Sequence, residues 1–368
     1  MKVASNRMKE AVNKAIKGAG FNNLIPITGM IGIKLSAGKL RLLTTDMTNT
    51  LCIIIDKVTG EDMDITVDAD KFGKLIAKIT SEEIDLSVKD DILYVKANGT
   101  YKIPLVSDEE GLVSFPDIKS DVTDTSVWGD IKLSSIMQAY NINKSALAKT
   151  LENPSLTGYF CNEEMVVTTD ANVITFNKFR MLDGDFAPLL ISAQQMVLLS
   201  LFKDENIKVS CDPESIVFAT DSQIVEGGLM EGVDDFPIEE IKSYLDVAFT
   251  SSCKVPKDLL LSVLDRLALF IEPYDKNGAY FTFGRKGITI HSKKDASTET
   301  INYVESKDFE PFVCCVDIPM MKEQLQANPD DTVKIFYGNE NALKMESGKV
   351  VQVIALLEDE DLDNSSNE

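Results

Sequence analysis

The feature that most constrains the fold is a repetition. Leu43-Thr44-Thr45-Asp46 returns 124 residues later as Val167-Thr168-Thr169-Asp170. Four residues can coincide by chance, but here the surroundings return as well. Before each site lies a segment with apolar residues at helical spacing. The first, 6–18, carries Met8, Ala11, Val12, Ala15 and Ile16, and 133–148 holds the matching place before the second site. A third such segment spans 256–271, with Pro256 suited to a first helical turn. After the sites, DADKFGKLIAKI (68–79), SAQQMVLLSLFK (192–203) and DIPMMKEQLQA (317–327) begin 124 and 125 residues apart. Each is followed by strand-like alternation interrupted by turn residues, the pattern of antiparallel hairpins. Links with Phe-Pro, SFPDI (114–118) and DFPIEEI (235–241), close the first two units. A unit of about 125 residues is therefore written three times. In the third copy the Thr-Thr-Asp site has become GITIHSKK.

This order predicts an α+β chain with three domains at 1–122, 123–246 and 247–357. Each has two helices packed on antiparallel sheets, and an acidic tail follows at 358–368. Strands outnumber helices and no glycine-rich βα turn occurs, which argues against a dinucleotide-binding fold.

Other classes are excluded by what the chain lacks. No apolar run approaches the length of a membrane span. The opening MKVASNRMKEAVNK has no apolar h-region, so a secretory signal is not expected. The six cysteines form no CxxC pair, which fits reduced thiols in a cytoplasm better than a disulfide framework. One histidine, His291, leaves little for metal or triad chemistry. Histidine-based metal sites and most catalytic triads are therefore not expected, and neither is a cofactor.

Charge sorts with the repeat. The chain carries a net −22, yet the six helical segments with their immediate flanks, counted as 6–18, 68–80, 132–149, 191–203, 254–271 and 317–327, together carry +8, leaving −30 for the rest. On helical wheels Lys14 and Lys17 lie opposite the apolar stripe of the first segment. Lys74 and Lys78 do so on the next, flanked by Lys71. Any one of these lysines is an ordinary solvated residue. Their segregation points to a helix-lined surface for a polyanion, through contacts that are independent of base sequence and weaken with salt. The candidates are Arg7, Lys14, Lys17, Lys71, Lys74, Lys78, Lys144, Lys149, Lys203, Lys257, Arg266 and Lys322. Segment 192–203 is apolar almost all round and gives no clear outward face.

With the threefold repeat, LIPITGMIGIKLSAGKLRLLTTD (24–46), TTDANVITF (168–176) and the Phe-Pro links in hand, the chain resembles the bacterial-type sliding clamp, the β subunit of the replicative DNA polymerase. The likeness covers 1–357, and its divergence suggests a phage or another distant branch. It implies a head-to-tail homodimer whose six domains close into a ring around double-stranded DNA. It further implies a processivity factor in DNA replication that tethers a DNA polymerase, is opened by a clamp loader, and works in a bacterial cytoplasm or a phage-infected cell. Carried over by position, the dimer contact sets Tyr101 and Ile103 against Leu269 and Phe270. The groove for short partner peptides maps to Leu156, Thr169, Ala171, Asn172, Val173, Ile174, Pro237, Ile241, Val353, Ala355, Leu356 and Leu357. The pattern departs there. Ala171-Asn172-Val173 stands where the family has Gly-His-Arg, and Ala355-Leu356-Leu357-Glu358 where it has Met-Pro-Met-Arg.

Two other classes compete. Asp234, Asp235, Glu239 and Glu240 form the densest internal acidic cluster, as a two-metal nuclease would need. A clamp-like scaffold or acidic DNA mimic that does not encircle DNA is the third reading. The tail at 358–368, six of its eleven residues acidic, reads as solubilising or as a screen for the groove.

Overall fold

The computed structural model describes residues 1–109, 111–118, 127–212, 215–271, 278–292 and 297–358. The tail from 359 onward and the expected boundary at 122/123 lie outside the described residues.

The element order repeats three times. The first pass runs β1 (Lys2–Ala4), α1 (Ser5–Ala15), β2 (Met30–Ser36), β3 (Lys39–Thr45), β4 (Asn49–Ile55), β5 (Met63–Asp68), α2 (Ala69–Lys78), β6 (Glu83–Lys89), β7 (Ile92–Lys96) and β8 (Thr100–Pro104). A short hairpin, β9 (Ser107–Asp108) with β10 (Gly111–Leu112), follows. The second pass runs β11 (Val127–Lys132), α3 (Leu133–Asn143), β12 (Gly158–Cys161), β13 (Val166–Thr169), β14 (Val173–Asn177), β15 (Asp183–Gly184), β16 (Leu189–Ser192), α4 (Ala193–Leu199), β17 (Asn206–Cys211), β18 (Ser215–Ala219) and β19 (Gln223–Gly228). A short helix α5 (Ile238–Ser243) sits in the following link. The third pass runs β20 (Ser251–Pro256), α6 (Lys257–Leu267), β21 (Gly278–Phe283), β22 (Gly287–Ser292), β23 (Thr298–Asn302), β24 (Glu305–Lys307), β25 (Phe312–Asp317), α7 (Ile318–Ala327), β26 (Thr332–Tyr337), β27 (Ala342–Ser347) and β28 (Val350–Ala355).

All six expected helices form, with sharper ends than the periodicity gave. The first helix of each repeat stops after eleven residues and tightens into a 3-10 turn, at Ile16–Gly18, Lys144–Ala146 and Ala268–Phe270. Segment 192–203 is helical only to Leu199, because Leu201 and Phe202 donate three residues back rather than four. Asp68 and Asp317 cap α2 and α7, accepting from the backbone N–H of Lys71 and Met320. Helices α1 and α2 come close at Gly73, where a Cβ would collide with Ile16. Among the described residues no helix is long and apolar enough to cross a membrane.

Contacts group the chain into two compact units, and the division passes through the second repeat. Unit 1 comprises Met1–Ile136, Leu182–Phe186 and Gln194–Leu229, and unit 2 comprises Met137–Met181, Ala187–Ala193 and Met230–Glu368. Unit 1 holds a nine-stranded sheet, β15-β11-β17-β18-β19-β4-β3-β2-β5, and a four-stranded sheet, β1-β6-β7-β8. Unit 2 holds β16-β12-β13-β14-β28-β27-β26-β20-β24 and β23-β22-β21-β25. Each nine-stranded sheet contains one joint between repeats. In unit 1 the last strand of the second repeat pairs with the first, Gln223 opposite Ile53 through Gly227 opposite Asn49. In unit 2 the last strand of the third pairs with the second, Val350 opposite Asn177 through Ile354 opposite Val173.

The repeated Thr-Thr-Asp builds these joints. The Thr44 hydroxyl donates to the carbonyl of Ala15 at 2.5 Å, and that of Thr168 to the carbonyl of Asn143 at 2.8 Å. Each ties its hairpin to the end of its repeat's first helix. Thr45 and Thr169 then donate to the carbonyls of Asn49 and Val173. The carboxylates of Asp46 and Asp170 accept two backbone N–H groups each, from Thr48 and Asn49 and from Asn172 and Val173. Met47 and Ala171 take positive φ, 79° and 73°, in the same place. The signature therefore aims β4 and β14, the strands that receive the next repeat.

Thr44→Val and Thr168→Val keep shape but leave a buried helix carbonyl without its donor. Each should cost about 1–3 kcal/mol, read as a lowered midpoint in urea unfolding.

Candidate functional sites

The basic helical face divides into free and occupied cations. In the first repeat Lys17, Lys71 and Lys78 are exposed, and Lys14 is half-buried beside them. None of these four has a carboxylate partner within ion-pair distance among the described residues. Burial, and next the ammonium of Lys203, push the pKa of Lys14 down. Lys74 pairs with Asp70 one turn back, at 2.7 Å, and Arg7 donates to the carbonyl of Asp56. Lys203 is spent on Glu10 at 2.5 Å, and its hydrogen bond holds the Glu10 carboxyl below its usual range. Lys149 faces Glu323 at 3.6 Å, and Lys322 faces Asp265 at 2.5 Å. Arg266 grips Glu299 with two parallel bonds, 2.8 and 2.6 Å. Lys257 donates to the carbonyl of Asn328 beyond the end of α7. Lys144 lies over its neighbour Tyr140, 5.1 Å from the ring centre. Apart from Lys74 with Asp70 and Lys144 with Tyr140, each four residues apart, the sequence count could not foresee these pairings, because the partners stand far apart in the chain.

The expected groove residues do not all meet. Leu156, Ile174, Ile241 and Val353 gather in one apolar cluster of unit 2 with Phe160, Phe176 and Phe236. Its centre is the stack of Phe236 on Phe160, centroids 4.7 Å apart and planes 12° apart. Ala148, Met230, Val233, Ile238 and Leu245 rim it, half-buried. Val173 and Leu356 are corrections. Successive residues on β14 point to opposite faces, so Val173 joins the other core, with Cys253, Leu343 and Ile354, and Leu356 packs there too. Thr169, Ala171 and Asn172 form the turn rather than a lining, and the Asn172 carbonyl accepts from Ala355 N–H. Pro237, Ala355 and Leu357 are half-exposed. The sequence missed Phe160, Phe236 and helix α5, whose six residues are too few for a periodic signal.

Of the expected dimer contacts, Leu269 and Phe270 stand 81% and 51% exposed on the 3-10 turn after α6. Tyr101 is 38% exposed on β8. Ile103 is 2% exposed: it lies opposite buried Leu93 of β7, on the core face of β8 that Tyr101 shares nearer the strand's start.

The same turn is covered in the other two repeats. In unit 1 Gln194 of α4 donates to the carbonyl of Lys17, on the turn Ile16–Gly18. In unit 2 Gln324 of α7 accepts from Ser145, on the turn Lys144–Ala146, and donates to its carbonyl. Gln324 also accepts from Thr175 and Gln352 in a fully buried polar network.

Among the described residues no three His, Cys, Asp or Glu side chains converge as a metal site. Of the acidic cluster in the link, Glu239 faces Lys242 on α5. None of the six cysteines is in a disulfide, and all are buried. Burial pushes the thiols of Cys52 and Cys253 up to about 12 and that of Cys211 to about 11.

No family model matches the sequence, and no curated protein matches it. Solved structures do match. The β subunit of the DNA polymerase of Streptococcus pyogenes aligns with TM-score 0.86 at 16% identity, over 97% of this chain and 99% of that one. The DNA polymerase sliding clamp of Bacillus subtilis aligns with TM-score 0.84 at 15% identity, over 97% and 98%. The DNA polymerase III subunit beta of Borrelia burgdorferi, solved with a natural product, gives 0.84 at 17%, over 97% and 98%. The chain has the sliding-clamp fold along nearly its whole length.

Two outcomes follow. Phe236→Ala should cost about 3–5 kcal/mol, read by chemical denaturation. A thiol reagent at pH 8 should leave the native protein unlabelled and label all six cysteines once it is unfolded, since all six are buried and raised pKa values keep Cys52, Cys161, Cys211, Cys253 and Cys314 protonated there.

Proposed function

We propose that this protein is a DNA sliding clamp. Two copies join head to tail into a ring of six repeats that encircles duplex DNA and tethers a DNA polymerase. The observation that carries the reading is an unfinished pattern. Of the three repeat-final strands, β19 and β28 each pair with a receiving strand, β4 and β14. Among the described residues the first repeat's final strand, β8, has only β7 beside it, and the third repeat's receiving strand, β23, has only β22. One donor edge and one acceptor edge are left over. Open edges of that length are normally blunted in a monomer. Pairing β8 of one copy with β23 of another completes the series, and a heterologous joint that closes gives a ring.

The side-chain evidence agrees. The turn at Ala268–Phe270 corresponds to the two turns already covered by a helix of the next repeat, and it presents bare Leu269 and Phe270. In the ring these would meet α2 of the second copy, with Tyr101 beside them. A basic helical surface on a strongly acidic chain fits a duplex held by phosphate contacts without base recognition. We assign the cluster around Phe160 and Phe236, with its half-exposed rim, to short apolar peptide anchors of the polymerase and of a clamp loader. The reading requires neither catalysis nor a cofactor.

The wild-type protein should have a solution mass of twice 40.6 kDa, measured by light scattering. Leu269→Asp with Phe270→Asp should yield folded monomers. A wild-type monomer at micromolar concentration, or a dimer untouched by the double substitution, would overturn the joint.

A further inference from the structure

The helical surface has not kept its cations equally. α1 with its 3-10 turn and α2 carry seven, Arg7, Lys9, Lys14, Lys17, Lys71, Lys74 and Lys78, against Glu10 and Asp70 alone. In α6 and α7 the cations Lys257, Arg266 and Lys322 are balanced by Asp258, Asp265 and Glu323. Geometry widens the difference. Lys9, Lys14, Lys17, Lys71 and Lys78 have no carboxylate within ion-pair distance among the described residues. Every cation on α6 and α7 is bound inside the chain, Arg266 to Glu299, Lys322 to Asp265 and Lys257 to the Asn328 carbonyl. The second repeat offers little more. Helix α4 has no charge of its own, Lys203 beyond it is held by Glu10, and Lys149 faces Glu323. Lys144, stacked over Tyr140, is its one helix-borne cation without a carboxylate partner among the described residues.

We propose that the duplex is held by the first repeat alone. The α1–α2 face of each copy is the phosphate-binding surface, and the helices of the second and third repeats are an electrostatically neutral wall. The inference rests on the clamp reading and narrows it. A lysine already paired with a carboxylate must give that contact up to bind phosphate, so its net gain is small. A free lysine at the same surface releases condensed counterions from the DNA and keeps the whole gain. Two such faces per ring, separated by neutral stretches, give a slider two loose holds on the backbone. Lys14 is tuned the same way. Its burial and the nearby Lys203 lower its pKa in the free protein, and an approaching phosphate would raise it again.

The test uses the full chain and a fluorescein-labelled linear duplex of mixed sequence, with binding followed by anisotropy from low to moderate salt. Lys14→Gln, Lys17→Gln, Lys71→Gln and Lys78→Gln are combined in one variant. A charge-matched variant changes Lys39, Lys89, Lys208 and Lys349, exposed lysines on strands and turns, to Gln. A third variant removes two occupied pairs without changing net charge: Lys149→Gln, Glu323→Gln, Lys322→Gln and Asp265→Asn. The helix-face variant should lose at least about tenfold in affinity and flatten the slope of log affinity against log salt. The other two should stay within about threefold of wild type with the slope kept. Comparable losses in all three variants, or an unchanged helix-face variant, would overturn the asymmetry. Light scattering on the same samples separates the two claims. Dimers that bind the duplex without the asymmetry refute only this inference. Dimers that bind no duplex even at low salt refute DNA as the ligand, and the inference falls with it.

Discussion

The structure depends on a strand of one repeat finding its edge on a strand of another. Both joints are runs of antiparallel backbone pairing, and neither strand is long enough to hold a partner by itself. What makes them work is the aim of the receiving strand. Thr44 and Thr168 fasten the hairpins of β4 and β14 to the last carbonyls of the helices beneath, and Asp46 and Asp170 close the turns. With the receiving strand fixed against its own helix, register follows from alternation. On β14, Val173 enters the core beneath the sheet and Ile174 the cluster on the other face. A slip of one residue would exchange the two faces and expose both.

The joints share a plan and differ in chemistry. In unit 2 the turn after the first helix is bound through half-buried Ser145 to Gln324, Thr175 and Gln352, a polar network whose last three members are fully buried. In unit 1 the corresponding bond, Gln194 to the Lys17 carbonyl, is exposed. The turn left for a second copy carries Leu269 and Phe270 instead. Fully satisfied polar contacts suit joints that form once with the fold, because a half-made network is costly. An apolar contact suits a joint that must assemble between copies and separate again, since it leaves no buried polar group orphaned.

Much of this was legible in the sequence, for identifiable reasons. The three passes of helix and strand showed as periodicity, because each helix buries one stripe and each strand alternates. Thr-Thr-Asp was legible as a signature, though its job required the hydrogen bonds to be seen. Other features were not legible. Helix α5 is too short for a periodic signal, and the stack of Phe160 on Phe236 joins residues 76 positions apart. Ile103 and Val173 were assigned to surfaces by position, and the pleat turned both inward. Charge was legible as an excess on the helical segments, but not which of those cations are held inside the chain. The neutralising carboxylates, Glu299 for Arg266 and Glu323 for Lys149, lie in other elements, and only the fold brings them in.

The central claim is that the chain closes around DNA, and topology tests it most directly. The protein would be loaded on a nicked circular plasmid, purified on it, and divided, with half linearised by a single cut. Retention at moderate salt would then be compared by gel filtration. The account predicts that the protein stays with circles and is lost from linear molecules through their ends. Equal retention on both forms, or equal salt-dependent loss from both, would mean that the protein binds DNA without encircling it and would contradict the ring.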